Sequence, residues 1–303
     1  MHACRTLLSM RLLNVLRSEI DASVNFVRRA PSVGFFESRY VRRCDQYFIC
    51  YLSSQSGCNR GCRFCHLTTT GQTTSIDARR QCFVLQAESV LEHYEASSQP
   101  ARYVHFNFMA RGEPLANVNM IDDADSIMGS LGEAARARGL PSLFNVSTIM
   151  PLTLRRSLID VFKYVHPTIY YSLYSIDDSF NGFRHSWMPG AMSVEPALEL
   201  LREYQEFSRT TIKVHYAFIA GQNDDVTSVN DVCAALNEKL PGCTLNVVRY
   251  NPPDENSRES DDRTIERNVS IIKDRLISGC VNVIPRVGTD VHASCGTFFV
   301  SEE

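Results

Sequence analysis

Lysine is scarce in this chain: there are four among 303 residues, and none precedes Lys163. All the positive charge of residues 1–111 is therefore arginine, 14 against 8 acidic residues, while the remainder carries 17 basic and 26 acidic ones for a net charge of −3. Arginine suits phosphate contacts and base stacking. A pI near 6.3 is nevertheless lower than a dedicated nucleic-acid surface usually shows, so charge alone names no partner. Long apolar runs are also lacking. None approaches the roughly 18–20 residues of a membrane span, and no membrane partner is expected. No repeat, low-complexity segment or obvious linker is visible, and Arg5, Arg11 and Arg17 break any secretory pattern at the start. Cysteine is plentiful, but eleven is an odd number, which argues against a closed disulfide framework. A reducing, cytoplasmic setting is the expectation. The first residues are also free of acid until Glu19, as a mitochondrial import segment would be. Leu7, Leu8, Leu12, Val15 and Leu16 follow a helical repeat, which predicts an amphipathic helix in an N-terminal segment, 1–34, packed on a body spanning 35–303.

Within that body, apolar strand-like runs alternate with helix-like stretches. Candidate strands are 47–54, 102–109, 142–148, 168–175, 211–219, 244–250 and 281–286, and candidate helices are 83–96, 118–138, 153–164, 193–208, 226–239 and 262–278. Such alternation predicts an α/β fold with parallel strands and outer helices, a partial or near-complete (β/α) barrel. Chemistry in such folds sits in the loops after the carboxyl ends of the strands. The unusual residues fall there: "SGCNRGCRFCHL" follows the first of these strands, "ARGEPLAN" the second, and "YNPP" the sixth.

The first of those loops has the spacing Cys58-x3-Cys62-x2-Cys65. A zinc site usually takes four ligands, often as two close pairs, and no second pair exists: Cys82, Cys233, Cys243, Cys280 and Cys295 are single. Three thiolates fit a [4Fe–4S] cluster that leaves one iron open. The other reading is a zinc knuckle completed by His66, which directly adjoins Cys65 and is poorly placed to share its metal.

The cysteine spacing, with the aromatic Phe64 before the last cysteine, resembles the signature of the radical S-adenosylmethionine (SAM) superfamily. "GEPLAN", "NVSTIMP", "YSLYS", "RYNPP" and "ASCGTF" follow in order, and together they resemble the RlmN and Cfr family of ribosomal RNA adenine methyltransferases, over about residues 35–299. The resemblance implies a cluster on Cys58, Cys62 and Cys65, with SAM on the open iron contacted by Gly112, Glu113, Ser147, Ser172, Leu173, Tyr174 and Asn251. It implies two SAM molecules. One methylates Cys295, and the other gives a radical that activates that methyl group for addition to C2 or C8 of adenine. A resolving cysteine then frees the product as a disulfide forms, and a carboxylate takes the proton. Glu37 and Cys50, thirteen positions apart as in the family, are the candidates. Cys50, however, lies eight positions before Cys58 where the family takes seven, and a one-residue shift in a strand turns a side chain to the other face. An RNA or an adenine-containing nucleotide as substrate, an electron donor such as flavodoxin, and a monomeric state are implied as well.

Several residues depart from the family pattern. Arg111 stands where the family usually has glycine, Tyr174 where it has histidine and His292 where it has aspartate. The family's larger helical N-terminal domain and basic tail have no counterpart here, so the expectation is a smaller or different target. Arg111 reads either as a ligand for a substrate phosphate or as a surface residue. Trp187, Met188 and Pro189 read as a loop over the mouth. Two other functions stay open: a radical SAM enzyme acting on a nucleotide or small metabolite without methyl transfer, and a metal-stabilised binding protein.

Overall fold

Val24, Phe26 and Val27, and further on Phe35, Phe36, Tyr40 and Val41, are β-branched or aromatic residues of the kind that fill pleated strands. In the computed structural model, which describes residues 10–277 and 279–301, they form β2 (Val24–Arg29) and β3 (Phe35–Val41), preceded by β1 (Leu12–Arg17). The amphipathic helix expected here is thus replaced by strands over the described residues; Leu7 and Leu8 lie outside them. Pairing explains the difference. β2 matches β3 antiparallel from Val24 opposite Tyr40 to Arg29 opposite Phe35, and this buries Val24, Phe26 and Val27. A leucine stripe with helical spacing cannot compete with a whole strand of backbone pairing plus a buried face.

β3 pairs antiparallel with β4 (Tyr47–Leu52), and from there the sheet is parallel: β5 (Tyr103–Phe108), β6 (Ser142–Thr148), β7 (Thr168–Ser172), β8 (Lys213–Tyr216), β9 (Thr244–Val248) and β10 (Cys280–Ile284). The ten strands lie side by side in chain order. Long helices α1 (Arg80–Ser97), α2 (Val118–Arg136), α3 (Val194–Ser208), α4 (Val226–Lys239) and α5 (Asp262–Arg275) occur where the sequence places them. The helix expected over 153–164 shortens to one turn, Leu158–Val161. The Asp125 carboxylate accepts the N–H groups of Tyr164 and Val165 at 3.1 and 2.8 Å and draws the chain out of helical geometry. Among the described residues, no helix is long and apolar enough to cross a membrane.

Alternation along β4 decides what faces the lumen. Phe48, Cys50 and Leu52 are fully buried in the same apolar core as Phe83, Ala87 and Val90 of α1. Tyr47, Ile49 and Tyr51 line the lumen instead.

β10 is an edge strand, so the sheet alone does not close into a barrel. Residues 285–299 run from its end back to the antiparallel strands and bridge the gap. Arg43 donates to the Pro285 carbonyl, Asp21 accepts the Gly288 N–H at 2.8 Å, and Asn25 donates to the Val291 carbonyl at 3.1 Å. Further along this strap, Arg39 donates to the carbonyls of Ser294 and Thr297, and Arg111 donates to that of Phe299. Glu37 joins the two arginines. Its carboxylate accepts from Arg111 Nε at 2.5 Å, Arg39 at 3.0 Å, Asn25 at 2.7 Å and the Phe299 N–H at 3.0 Å. Burial by itself would raise the Glu37 pKa, but Arg111 and Arg39 overcome it and hold it at about 2. Arg111 is therefore neither a surface residue nor open to a substrate phosphate: it is fully buried and its donors are taken.

Removing one partner leaves the other charge buried and uncompensated. Arg111→Met is expected to destabilise the protein by about 3–5 kcal/mol, read as a lower denaturant midpoint. The Glu37 carboxyl is depressed from an ordinary 4.5, so its contribution to stability is complete above about pH 4.5 and fades as pH falls toward 2. The stability of Arg111→Met should vary less across that acid window than that of the parent protein.

Candidate active site

The loop after β4 begins as an extended turn and then wraps round a cleft. Cys58, Cys62 and Cys65 all line that cleft, together with Phe64, Gly112, Glu113, Ser147, Ser172, Tyr174, Asn251 and Cys295. Residues that are scattered in sequence meet because each follows the carboxyl end of a different parallel strand.

The three loop thiols are held neutral. Desolvation raises Cys58 to about 12 and Cys65 to about 11, and pushes Cys62 well up as well. Such thiols ionise only beside a strong positive charge, which a metal centre provides. The backbone N–H groups of Leu67 and Thr68 point at the Cys65 sulfur, and that of Arg60 at Cys58, ready for thiolates. Among the described residues, no three His, Cys, Asp or Glu side chains converge on a single ion. A cubane cluster needs no such convergence, since each iron takes its own thiolate. His66 stays out of the cleft. Its N–H donates to the Gly296 carbonyl at 3.2 Å, which ties the cysteine loop to the Cys295 turn.

Glu113 is buried, and burial raises its pKa to about 7. Its two oxygens accept the N–H groups of Leu115 and Ile149, both at 3.0 Å. Gly112 is required before it: φ is +90°, and a Cβ would lie 2.6 Å from both the backbone N and Cβ of Gln55. Phe64 and Tyr174 stack with centroids 4.3 Å apart and form an apolar wall. Trp187 ends a short helix, Phe183–Trp187, and packs with Met188 beside Cys62 and Tyr174 in a second apolar cluster; neither lines the cleft, so the loop expected over the mouth is not formed by these residues. Asn251 donates to the Cys295 carbonyl at 2.8 Å and accepts from Arg286 at 2.8 Å.

Three of the expected site residues do not reach the cleft. The Leu173 side chain is fully buried in the core, and its carbonyl accepts from Arg184 at 2.8 Å. Glu37 lies in the ion-paired knot, and with its oxygens occupied and its pKa near 2 it is a poor base. Cys50 faces α1, its pKa raised by desolvation, on the side of the sheet away from the cleft. The residue seven positions before Cys58 is Tyr51, and it lines the lumen together with Cys295. Tyr51, and not Cys50, is thus the side chain that the pleat presents to the lumen.

Other lining residues escaped the sequence reading: Arg60, His215, Arg249, Tyr250 and Phe298. His215 and Arg249 have a readable signal, since they lie on β8 and at the end of β9. Phe298 closes the ASCGTF stretch, but only the strap shows that its ring reaches the cleft.

A parallel α/β sheet with three thiols in its first crossover loop defines a radical SAM protein. Residues 52–229 match the sequence profile of the Radical SAM superfamily, and the chain belongs to that superfamily. Within it, the chain is 25% identical to the probable dual-specificity RNA methyltransferase RlmN of Exiguobacterium sibiricum, over 93% of this chain and 76% of that one. It is 24% identical to the ribosomal RNA large subunit methyltransferase Cfr of Staphylococcus warneri, over 97% of this chain and 80% of that one. A crystal structure of a radical SAM methyltransferase from Sphaerobacter thermophilus shares the fold, with a TM-score of 0.75 at 19% identity, covering 95% of this chain and 81% of that one.

Alanine at Cys58, Cys62 or Cys65 is expected to abolish cluster binding, measured as iron content and visible absorption after anaerobic reconstitution. A Cys62→Ala protein with an unchanged spectrum would contradict the assignment.

Proposed function

We propose that the protein is a radical SAM methyl synthase. It would place a methyl group on an adenine carbon, C2 or C8, of an RNA, with two SAM molecules consumed and Cys295 as the methyl carrier. The observation that carries this reading is the position of Cys295. It lines both the cleft of the three loop cysteines and the adjoining lumen, so one sulfur faces a SAM site and a substrate space. The RNA is supported by the relatives, whose names describe RNA methyltransferases.

Cys58, Cys62 and Cys65 would hold a [4Fe–4S] cluster, which together with SAM and an electron donor such as flavodoxin would supply the radical chemistry. The chain's own residues bind, orient and exclude water. Glu113 pairs with the SAM ammonium, while Ser147, Ser172 and Asn251 offer polar contacts along the same wall. Phe64 and Tyr174 keep one side of the cleft dry. His215 takes the place of Glu37 as proton acceptor on position alone, since its low pKa makes it a weak base too. It lines both cavities beside Cys295, and burial lowers its pKa to about 4, so the imidazole is neutral.

One observation favours a second reading, action on a nucleotide or small metabolite without methyl transfer: among the described residues, no cysteine shares the lumen with Cys295. Peptide mass spectrometry separates the two. Reconstituted protein incubated with SAM without oxygen should carry an added methyl on Cys295. SAM cleavage with an unmodified Cys295 would select the second reading.

The Glu113 role has a pH signature. Below about pH 7 its carboxyl takes up a proton and can no longer pair with an ammonium. SAM affinity of the reconstituted protein should therefore fall with acidification, by up to about tenfold per pH unit below 7. Glu113→Gln should bind SAM weakly with no such slope.

A further inference from the structure

The lumen beyond Cys295 is a cavity of about 270 Å³, where a single water needs ~10–15 Å³ on the same measure. Its lining is one-signed. Arg39, Arg43, Lys213, Arg249 and Arg286 all contribute, and no aspartate or glutamate does. Arg249 and Arg286 are paired with Glu259, and Arg39 with Glu37. Arg43 and Lys213 have no acidic partner among the described residues: Arg43 donates to the Pro285 carbonyl and to Tyr51, and Lys213 to the Tyr170 hydroxyl at 3.0 Å. Arg39 is almost wholly buried, and its Nε has no partner. Asn107, Asn145 and Asn246 add buried amides on the same wall. Cations left without counterions in a partly closed space mark a site for an anion.

Cys295 is the one cysteine on this wall among the described residues. Cys50 is turned into the helix layer, and the loop cysteines line only the neighbouring cleft. A carbon unit carried on Cys295 as a thioether therefore has no internal thiol to release it. We propose that the lumen admits an external thiol of low molecular weight that bears carboxylates, held by Arg43 and Lys213, and that this thiol resolves the Cys295 thioether. This rests on the reading of Cys295 as methyl carrier. The step balances as follows. The external thiolate attacks Cys295 Sγ and forms an S–S bond. The Sγ–CH2 bond breaks, its electron pair passes to the ring-conjugated carbon, and that carbon takes one proton to become methyl. A second thiol reduces the mixed disulfide and restores Cys295, so two thiols are oxidised to one disulfide for each methyl released.

The test uses the whole reconstituted protein under nitrogen and needs no substrate. Glutathione disulfide and the uncharged bis(2-hydroxyethyl) disulfide are compared, with the modified cysteines identified by peptide mass spectrometry. Cys295 is expected to take up glutathione about tenfold faster than the uncharged thiol. Arg43→Met combined with Lys213→Met should bring the two rates together, and either single variant should narrow the gap if the pair does not fold. Equal rates in the parent protein, or formation of a Cys50–Cys295 disulfide, would overturn the proposal. A Cys295 that takes up glutathione preferentially but is never methylated by SAM would instead remove the methyl-carrier reading on which it rests.

Discussion

A single carboxylate holds the two ends of this fold together. Glu37 lies on an antiparallel strand added before the parallel sheet, and its oxygens gather Arg111 from the loop after β5, Arg39 from its own strand and the backbone of Phe299 from the strap. The charges are fully removed from water, so each survives only while the others are present. Arg111 and Arg39 also lie over the Phe298 ring at 5.6 and 5.0 Å, which adds a cation–π contact to the ion pairs. The strap is fixed from both sides of its chain, and Cys295 is fixed with it.

The parallel half of the fold was legible because its signals are local. Each strand is a short apolar run, each long helix has a periodic face, and the loops that carry Cys58, Gly112 and Asn251 sit between them. The antiparallel strands were not legible. β1 owes its form to pairing with β2, and β2 to pairing with β3, and nothing in residues 12–29 announces those partners. Arg111 was misread for the same reason. An arginine beside Gly-Glu-Pro looks accessible until a carboxylate 74 residues away is seen to bury it.

The site divides along a similar line. Motif residues that occupy loops after strands came together as the spacing implied. Cys50 and Glu37 lie within strands, where position modulo two matters more than distance along the chain. Along β4 the Cys50 thiol faces the helix layer, and the neighbouring Tyr51 phenol takes the inner face. Cys50 stands at the expected distance from Glu37 along the chain, and the pleat still turns it away from the cleft.

The strap has a further meaning in time. The cysteine loop leaves the ribosome early and the strap far later. Until residues 285–299 dock, β10 and β3 stand apart and the lumen is open along its side. The strap that bridges the open side of the sheet also carries Cys295 into the wall of both cavities. What fixes the strap therefore also fixes where that sulfur stands.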